Sequence, residues 1–150
     1  MAIGLISALL SGCSAGTGAI IDFASLERPD SPNNFLVCPD GFCKAAVDMP
    51  SPAFAAAPDV LFAATKRALG RQERTALELE DQGRHQLVYV QRSALMRFPD
   101  RLWIEIVPLP GNRSGLAVFS RSIYGYSDLG VNKGRVLSWL DAIGAELAAR

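Results

Sequence analysis

From Pro58 onward the apolar positions change period twice. Between Pro58 and Leu69 they follow a helix: Leu61, Thr65 and Ala68 fall near one face. Pro58 suits the first helical position, Asp59 the first turn, and Gly70 the stop. Four stretches with strand-like patterning follow. In Thr75 to Glu80, Leu77 and Leu79 alternate with Glu78 and Glu80, the pattern of a half-buried strand. Asp81-Gln82-Gly83-Arg84 reads as a hairpin turn, and Leu87 to Val90 is an almost continuous apolar strand ending at Arg92. In Leu102 to Val107, Leu102, Ile104 and Ile106 face one way and Trp103, Glu105 and Val107 the other. After the turn at Pro110-Gly111-Asn112, Leu116 to Ser122 alternates again. From about Lys133 to Ala148, Val136, Leu140, Ile143 and Leu147 recur at helical spacing, with Asn132 as the expected N-cap.

Ahead of these elements, Glu27 to Asn34 carries two prolines and two asparagines and reads as an extended surface stretch. Ala45-Ala46-Val47-Asp48 reads as a short strand, and Pro50 to Pro58 as irregular. The order is strand, helix, four strands, helix. Short turns between successive strands imply an antiparallel meander. The expected fold is therefore α+β: an antiparallel sheet of about four to five strands, with two main helices packed on one face. This layout is compatible with a reduced helix-grip arrangement.

Composition narrows the class. The chain has 150 residues, 49% of them hydrophobic, enough for one domain with a proper core. Fifteen basic and fifteen acidic residues cancel. With no basic stripe along the chain, a nucleic-acid partner is excluded. No Gly-rich phosphate loop and no Gly-x-Ser-x-Gly elbow occurs. Neither a cofactor nor a metal is implied.

The N-terminus points to an address. The apolar run Ile3 to Leu10 leads into Leu10-Ser11-Gly12-Cys13, which resembles the lipobox of bacterial lipoproteins. Residues 1–12 fall short of the about 20 apolar residues a bilayer span needs and suit a signal peptide better. No Lys or Arg precedes the run, so either the Met1 amine supplies the positive charge or the true start lies upstream. The alternative is an N-terminal helix, buried or frayed. On the lipoprotein reading Cys13 carries the lipid, residues 13–27 form a tether, and residues 28–150 form a single α+β domain in the bacterial cell envelope, facing the periplasm.

Lipidation of Cys13 leaves an even pair, Cys38 and Cys43, separated by Pro39-Asp40-Gly41-Phe42. Pro-Asp-Gly favours a tight turn across which the sulfurs can meet, and an oxidising compartment permits a disulfide. Two alternatives stand beside it. A zinc site needs two more ligands, and His85 is the only histidine. A redox pair normally uses Cys-x-x-Cys spacing.

The densest polar stretch runs from Ser120 to Arg135, from a strand end through a loop into a helix start. Its Ser120-Arg121-Ser122 strand end, Ser127-Asp128-Leu129-Gly130-x-Asn132 and basic helix start resemble the domain of unknown function 1499 family. Pro32-Asn33-Asn34 before Cys38, and Arg92-Ser93 with Phe98-Pro99-Asp100, extend the resemblance over about residues 28 to 145. That family includes bacterial exported proteins and plastid relatives, and it implies no established reaction. Here the middle segment is less acidic than the family pattern, and the Cys38–Cys43 pair belongs to a subgroup of it.

Chemically the stretch reads in more than one way. In a structural role, Asp128 caps or orients the loop, Gly125 and Gly130 supply unusual backbone angles, and Arg121 and Arg135 pair with Asp128, Glu105 or Asp100. In a binding role, Lys133 and Arg135 stand where a helix N-terminus is already partly positive, and its free amides attract anions. Arg121, Ser127, Asp128, Asn132, Lys133 and Arg135 are then the candidate residues for a phosphate, carboxylate or lipid headgroup. The sequence-level expectation is a non-catalytic binder of a small anionic or lipidic ligand, or of another envelope component. A hydrolase using the same serines needs a histidine within reach, and His85 lies in a polar turn. A purely structural interaction domain is the third reading.

Overall fold

The computed structural model describes residues 18–149. The signal-peptide and lipidation expectations for residues 1–12 and Cys13 lie outside the described residues. The elements run β1 (Asn34–Cys38), β2 (Met49–Pro50), α1 (Pro58–Gly70), β3 (Thr75–Asp81), β4 (Gln86–Arg92), β5 (Pro99–Leu109), β6 (Arg113–Ser122) and α2 (Val131–Ala148). The six strands form one sheet in the order β2-β1-β6-β5-β4-β3. Among the described residues only the β1–β2 pairing is parallel. The α+β class is as expected, with one or two strands more.

The extra strand is β1. Phe35, Leu36 and Val37 are apolar without alternation because β1 is buried on both faces, between β2 and β6. The short strand expected at 45–48 is not formed. There the chain returns beside β1 and pairs as a strand only at Met49–Pro50. Asp48 takes over part of the ladder: its carboxylate accepts from the Leu36 amide at 2.8 Å, and its own amide donates to the Leu36 carbonyl at 2.9 Å. The reversal is closed by the Cys38–Cys43 disulfide. The two sulfurs are thus bonded to each other, which overturns the zinc alternative.

A bulge between Leu77 and Leu79 corrects the expected faces of β3. Strict alternation would put Glu78 and Glu80 together. Instead Glu78 meets Arg101 at 2.9 Å on one side of the sheet, and Glu80 meets Lys66 of α1 at 2.6 Å on the other.

Both helices cover one sheet face. Leu61, Leu69, Val136, Trp139 and Ile143 close over Val37, Tyr89, Leu102, Ile104, Leu116 and Val118 as one continuous apolar cluster. Tyr89 and Trp139 meet edge to face, with ring centroids 5.9 Å apart. Among the described residues no helix is long and apolar enough to cross a membrane.

The opposite face is covered by the N-terminal strand of chain, from Gly18 onward. Phe23 is 0% exposed and packs with Leu36, Cys38, Val107, Ala117 and Phe119. Trp103 Nε1 donates to the Ala19 carbonyl at 2.8 Å, and the buried Gln86 amide holds both the N–H and the C=O of Ile21. A Cβ at Gly18 would stand 2.9 Å from Val88 Cγ1, so the chain lies directly on the sheet there. Over the described part of the tether expected at residues 13–27, the chain from residue 18 is a packed strap, because Ile21, Phe23 and Leu26, together with Phe42, Cys43 and Ala45, supply the apolar cover of this sheet face.

Under the strap, burial raises the pKa of Glu105, partly offset by the hydrogen bond from Gln86 Nε2 at 2.8 Å and by Arg84. A raised carboxyl pKa means the folded state holds the proton more tightly, so stability falls as pH rises from the unfolded value through the folded one. Glu105→Gln is expected to stabilise the domain at neutral pH, with the gain disappearing on acidification. Denaturant titrations of both proteins across the acid range check this. A gain that persists unchanged in acid would refute it.

Candidate functional site

The Ser120–Arg135 stretch folds around one buried side chain. Asn132 is 0% exposed and lies inside α2, two residues past the N-cap. Its amide nitrogen donates to the Asn33 carbonyl and Ser122 Oγ, each at 2.9 Å, and to Asp128 Oδ2 at 2.6 Å. Its oxygen accepts from Ser120 Oγ and, at 2.9 Å, from Arg135 Nη1. Asn132 thus joins the start of β1, the end of β6 and the start of α2. Asn33 extends the network through Ser31 and the Gly125 carbonyl.

The expected N-cap at Asn132 is corrected. The helix starts at Val131, and Gly130, with φ of 83°, is the N-cap. A glycine has no capping side chain, so Asp128 acts from two residues upstream. Its Oδ1 accepts from Gly130 N at 2.9 Å and its Oδ2 from Asn132 N at 2.8 Å. The helix N-terminus therefore already holds a carboxylate from its own chain.

Arg135 is engaged as well. Its Nη2 meets Asp100 Oδ2 at 2.5 Å, with the two side chains only 6% and 9% exposed. Its Nε donates to Gln91 Oε1. The fold brings Asp128, Asn132 and Arg135 together, but as partners of one another. Ser127 and Lys133 stand exposed beside them, and Ser127 Oγ reaches only the Leu129 amide at 3.4 Å. Arg135 pairs with Asp100, one of the partners anticipated for it. Arg121 pairs with none of Asp128, Glu105 or Asp100.

Arg121 lies apart from the rest of the expected set. Strand alternation sends Ser120 and Ser122 into the Asn132 network and Arg121 to the strap face. There it faces Arg101 directly across the β5–β6 ladder. The two arginines, with Trp103 and Ile123, line a recess of about 120 Å³. Arg101 carries an ion pair with Glu78 and lies 6.0 Å from the Trp103 ring centre. Trp103 in turn stacks on Phe119 at 5.7 Å. The Arg121 side chain forms no ion pair or hydrogen bond among the described residues. Like charges directly opposite one another weaken a sheet unless something neutralises them. Alternation around Trp103 was visible in the sequence, but the Arg101–Arg121 register was not.

His85 is at the far end of β4 from the serines. Its Nε2 lies 2.7 Å from Asp59 Oδ1, and its ring meets Phe62 edge to face at 5.4 Å. A recess of about 350 Å³ opens there, lined by Lys66, Glu80 and Gln82 as well. With a single histidine in the chain, no imidazole reaches Ser120, Ser122 or Ser127.

The class is thus an α+β protein with helices on one sheet face, an N-terminal strap on the other, and a buried Asn–Asp–Arg junction at one end. A family model described as "Protein of unknown function (DUF1499)" matches residues 26–143, and the chain belongs to that family. No curated protein matches the chain. Among solved structures, the crystal structure of Ara h 8.0201 is similar at 10% identity with a TM-score of 0.48, covering 67% of this chain and 95% of its own.

Proposed function

We propose that this is a lipid-anchored envelope protein facing the periplasm, whose domain binds a small anionic ligand of the headgroup type without transforming it. The observation that carries the binding reading is the cross-strand pair Arg101–Arg121, in which one guanidinium has a carboxylate and the other has none among the described residues. A phosphate or carboxylate seated between them relieves the repulsion and gains charge-assisted hydrogen bonds. Trp103 supplies the apolar wall on which a headgroup's carbon skeleton can lie. The anchor reading rests on Leu10-Ser11-Gly12-Cys13.

Calorimetric titration of the full chain with glycerol phosphate tests the binding. Arg121→Ala is expected to weaken it about tenfold or more, the value of a charge-assisted hydrogen bond, whereas Lys133→Ala leaves it unchanged. No heat with the wild type overturns the anion reading. Loss on Lys133→Ala alone moves the site to the start of α2. The anchor is tested separately, by the intact mass of the protein made in its own host: residues 1–12 retained, with no acyl mass, would remove it.

A further inference from the structure

We propose that the end of the sheet where β4, β5, β6 and α2 meet is a docking tip that seats on an anionic phospholipid surface. Two loops form it, 93–98 between β4 and β5 and 123–130 between β6 and α2. They present Leu95, Met96, Phe98, Tyr124, Tyr126 and Leu129, exposed by 88%, 62%, 51%, 65%, 75% and 96%. The loops are neighbours: the Phe98 and Tyr124 rings lie 6.4 Å apart, and Ile123 N donates to the Pro99 carbonyl at 3.3 Å. None of these six side chains lines the recesses described above. Apart from the Phe98–Tyr124 pair they are spread over the two loops, so the tip offers a broad apolar surface.

Folding alone does not account for this surface. Leu129 is almost wholly exposed and has φ of 53°, where glycine or asparagine would cost less. Arg97, at the tip of the other loop, has φ of 57°. Both loops are nevertheless held firmly. Ser93 N donates to the Phe98 carbonyl at 2.9 Å, Phe98 N to Ser93 Oγ at 3.0 Å, and Asp128 secures the second loop through two amides. The apolar residues are therefore presented on a prepared scaffold.

Charge selects the occupant. Arg92, Arg97 and Lys133 flank the two loops and form no ion pair among the described residues. Asp100 is paired with Arg135 and Glu73 with Arg74, whereas Asp128 keeps its charge among backbone amides and Asp30 is unpaired, so the unpaired cations of the region still outnumber its unpaired carboxylates. Tyrosines and large aliphatic side chains ringed by cations suit the boundary between headgroups and acyl chains of an acidic leaflet. The tip acts through insertion and general attraction, not through the Arg101–Arg121 recess, and it does not depend on acylation of Cys13.

The full chain carrying Cys13→Ser, which cannot be acylated, should be sedimented with phosphatidylcholine vesicles, with and without phosphatidylglycerol. Binding is expected with phosphatidylglycerol, weaker without it, and falling as salt rises. Leu95→Glu/Leu129→Glu should reduce it about tenfold or more, as expected for withdrawing two buried aliphatic side chains from the interface. That variant should keep the wild-type melting curve and the wild-type affinity for glycerol phosphate, so that failure of the tip is distinguishable from failure of the recess. Arg92→Glu/Arg97→Glu should weaken binding and flatten its salt dependence. Equal sedimentation of wild type and Leu95→Glu/Leu129→Glu overturns the proposal. So does a wild type that ignores vesicles but forms a dimer that the same variant dissolves, which would assign the tip to self-association.

Discussion

Asp100→Ala is expected to destabilise the domain by about 3–5 kcal/mol, the cost of leaving a buried charge without its partner. Arg135 is almost wholly enclosed, and its other partners, Gln91, Asn132 and Ser120, are neutral. They can share its protons but cannot cancel its charge. The same pair also fixes α2 onto the start of β5, so the loss reaches the Asn132 junction. Asp100→Asn keeps the volume and should fall between the two. The sharper test is Asp100→Leu/Arg135→Met. Removing both charges also removes both desolvation costs, so the double variant should recover most of the loss. Denaturant unfolding of the three variants measures this. An Asp100→Ala protein within about 0.5 kcal/mol of wild type, the range of an ordinary surface change, would show that the pair is not buried in solution.

Phe23→Ala is expected to cost about 3–5 kcal/mol, as for other fully buried aromatic side chains. Phe23 fills the centre of the strap face, and the backbone on either side has few other attachments. The loss should therefore be accompanied by faster amide exchange at Ile21, whose N–H is held by Gln86. Ala24→Gly, one position along and exposed, serves as the control and should change little. A Phe23→Ala protein as stable as that control would return residues 18–27 to the status of a tether.

Much of the fold was legible before the structure. Helix α1 ends at Gly70, its expected stop, and β3, β4, β5 and β6 each contain the stretch read for them. These segments carry a local signal, since a period of two or 3.6 survives wherever one face is buried and the other wet. β1 was missed for the complementary reason: buried on both faces, it has no alternation, and Asn33-Asn34 looked like surface. The strap was missed because its apolar residues, with Ile20, Ile21, Phe23 and Leu26 the largest, are too few and too irregular to form a period. At the site, the residue types were legible, and Asp128 and Asp100 stood among the partners named for them, but which pairings form was not. Asn132 and Arg135 have the chemistry of a ligand site in isolation, and only the placing of Asp128, Asp100 and Gln91 around them shows that they are satisfied internally.

Local pattern in the chain was enough for the helices, the four-strand meander and the α+β class, and motifs spread over residues 28 to 145 pointed to the family; the Cys38–Cys43 disulfide was one of three readings until the structure joined the two sulfurs. Tertiary structure alone decided which cations are neutralised and which are open. Arg135 meets Asp100 thirty-five residues away, and Arg121 meets Arg101 rather than a carboxylate. Charge interactions depend on distance through space and on exclusion of water, and neither can be read from order along a chain.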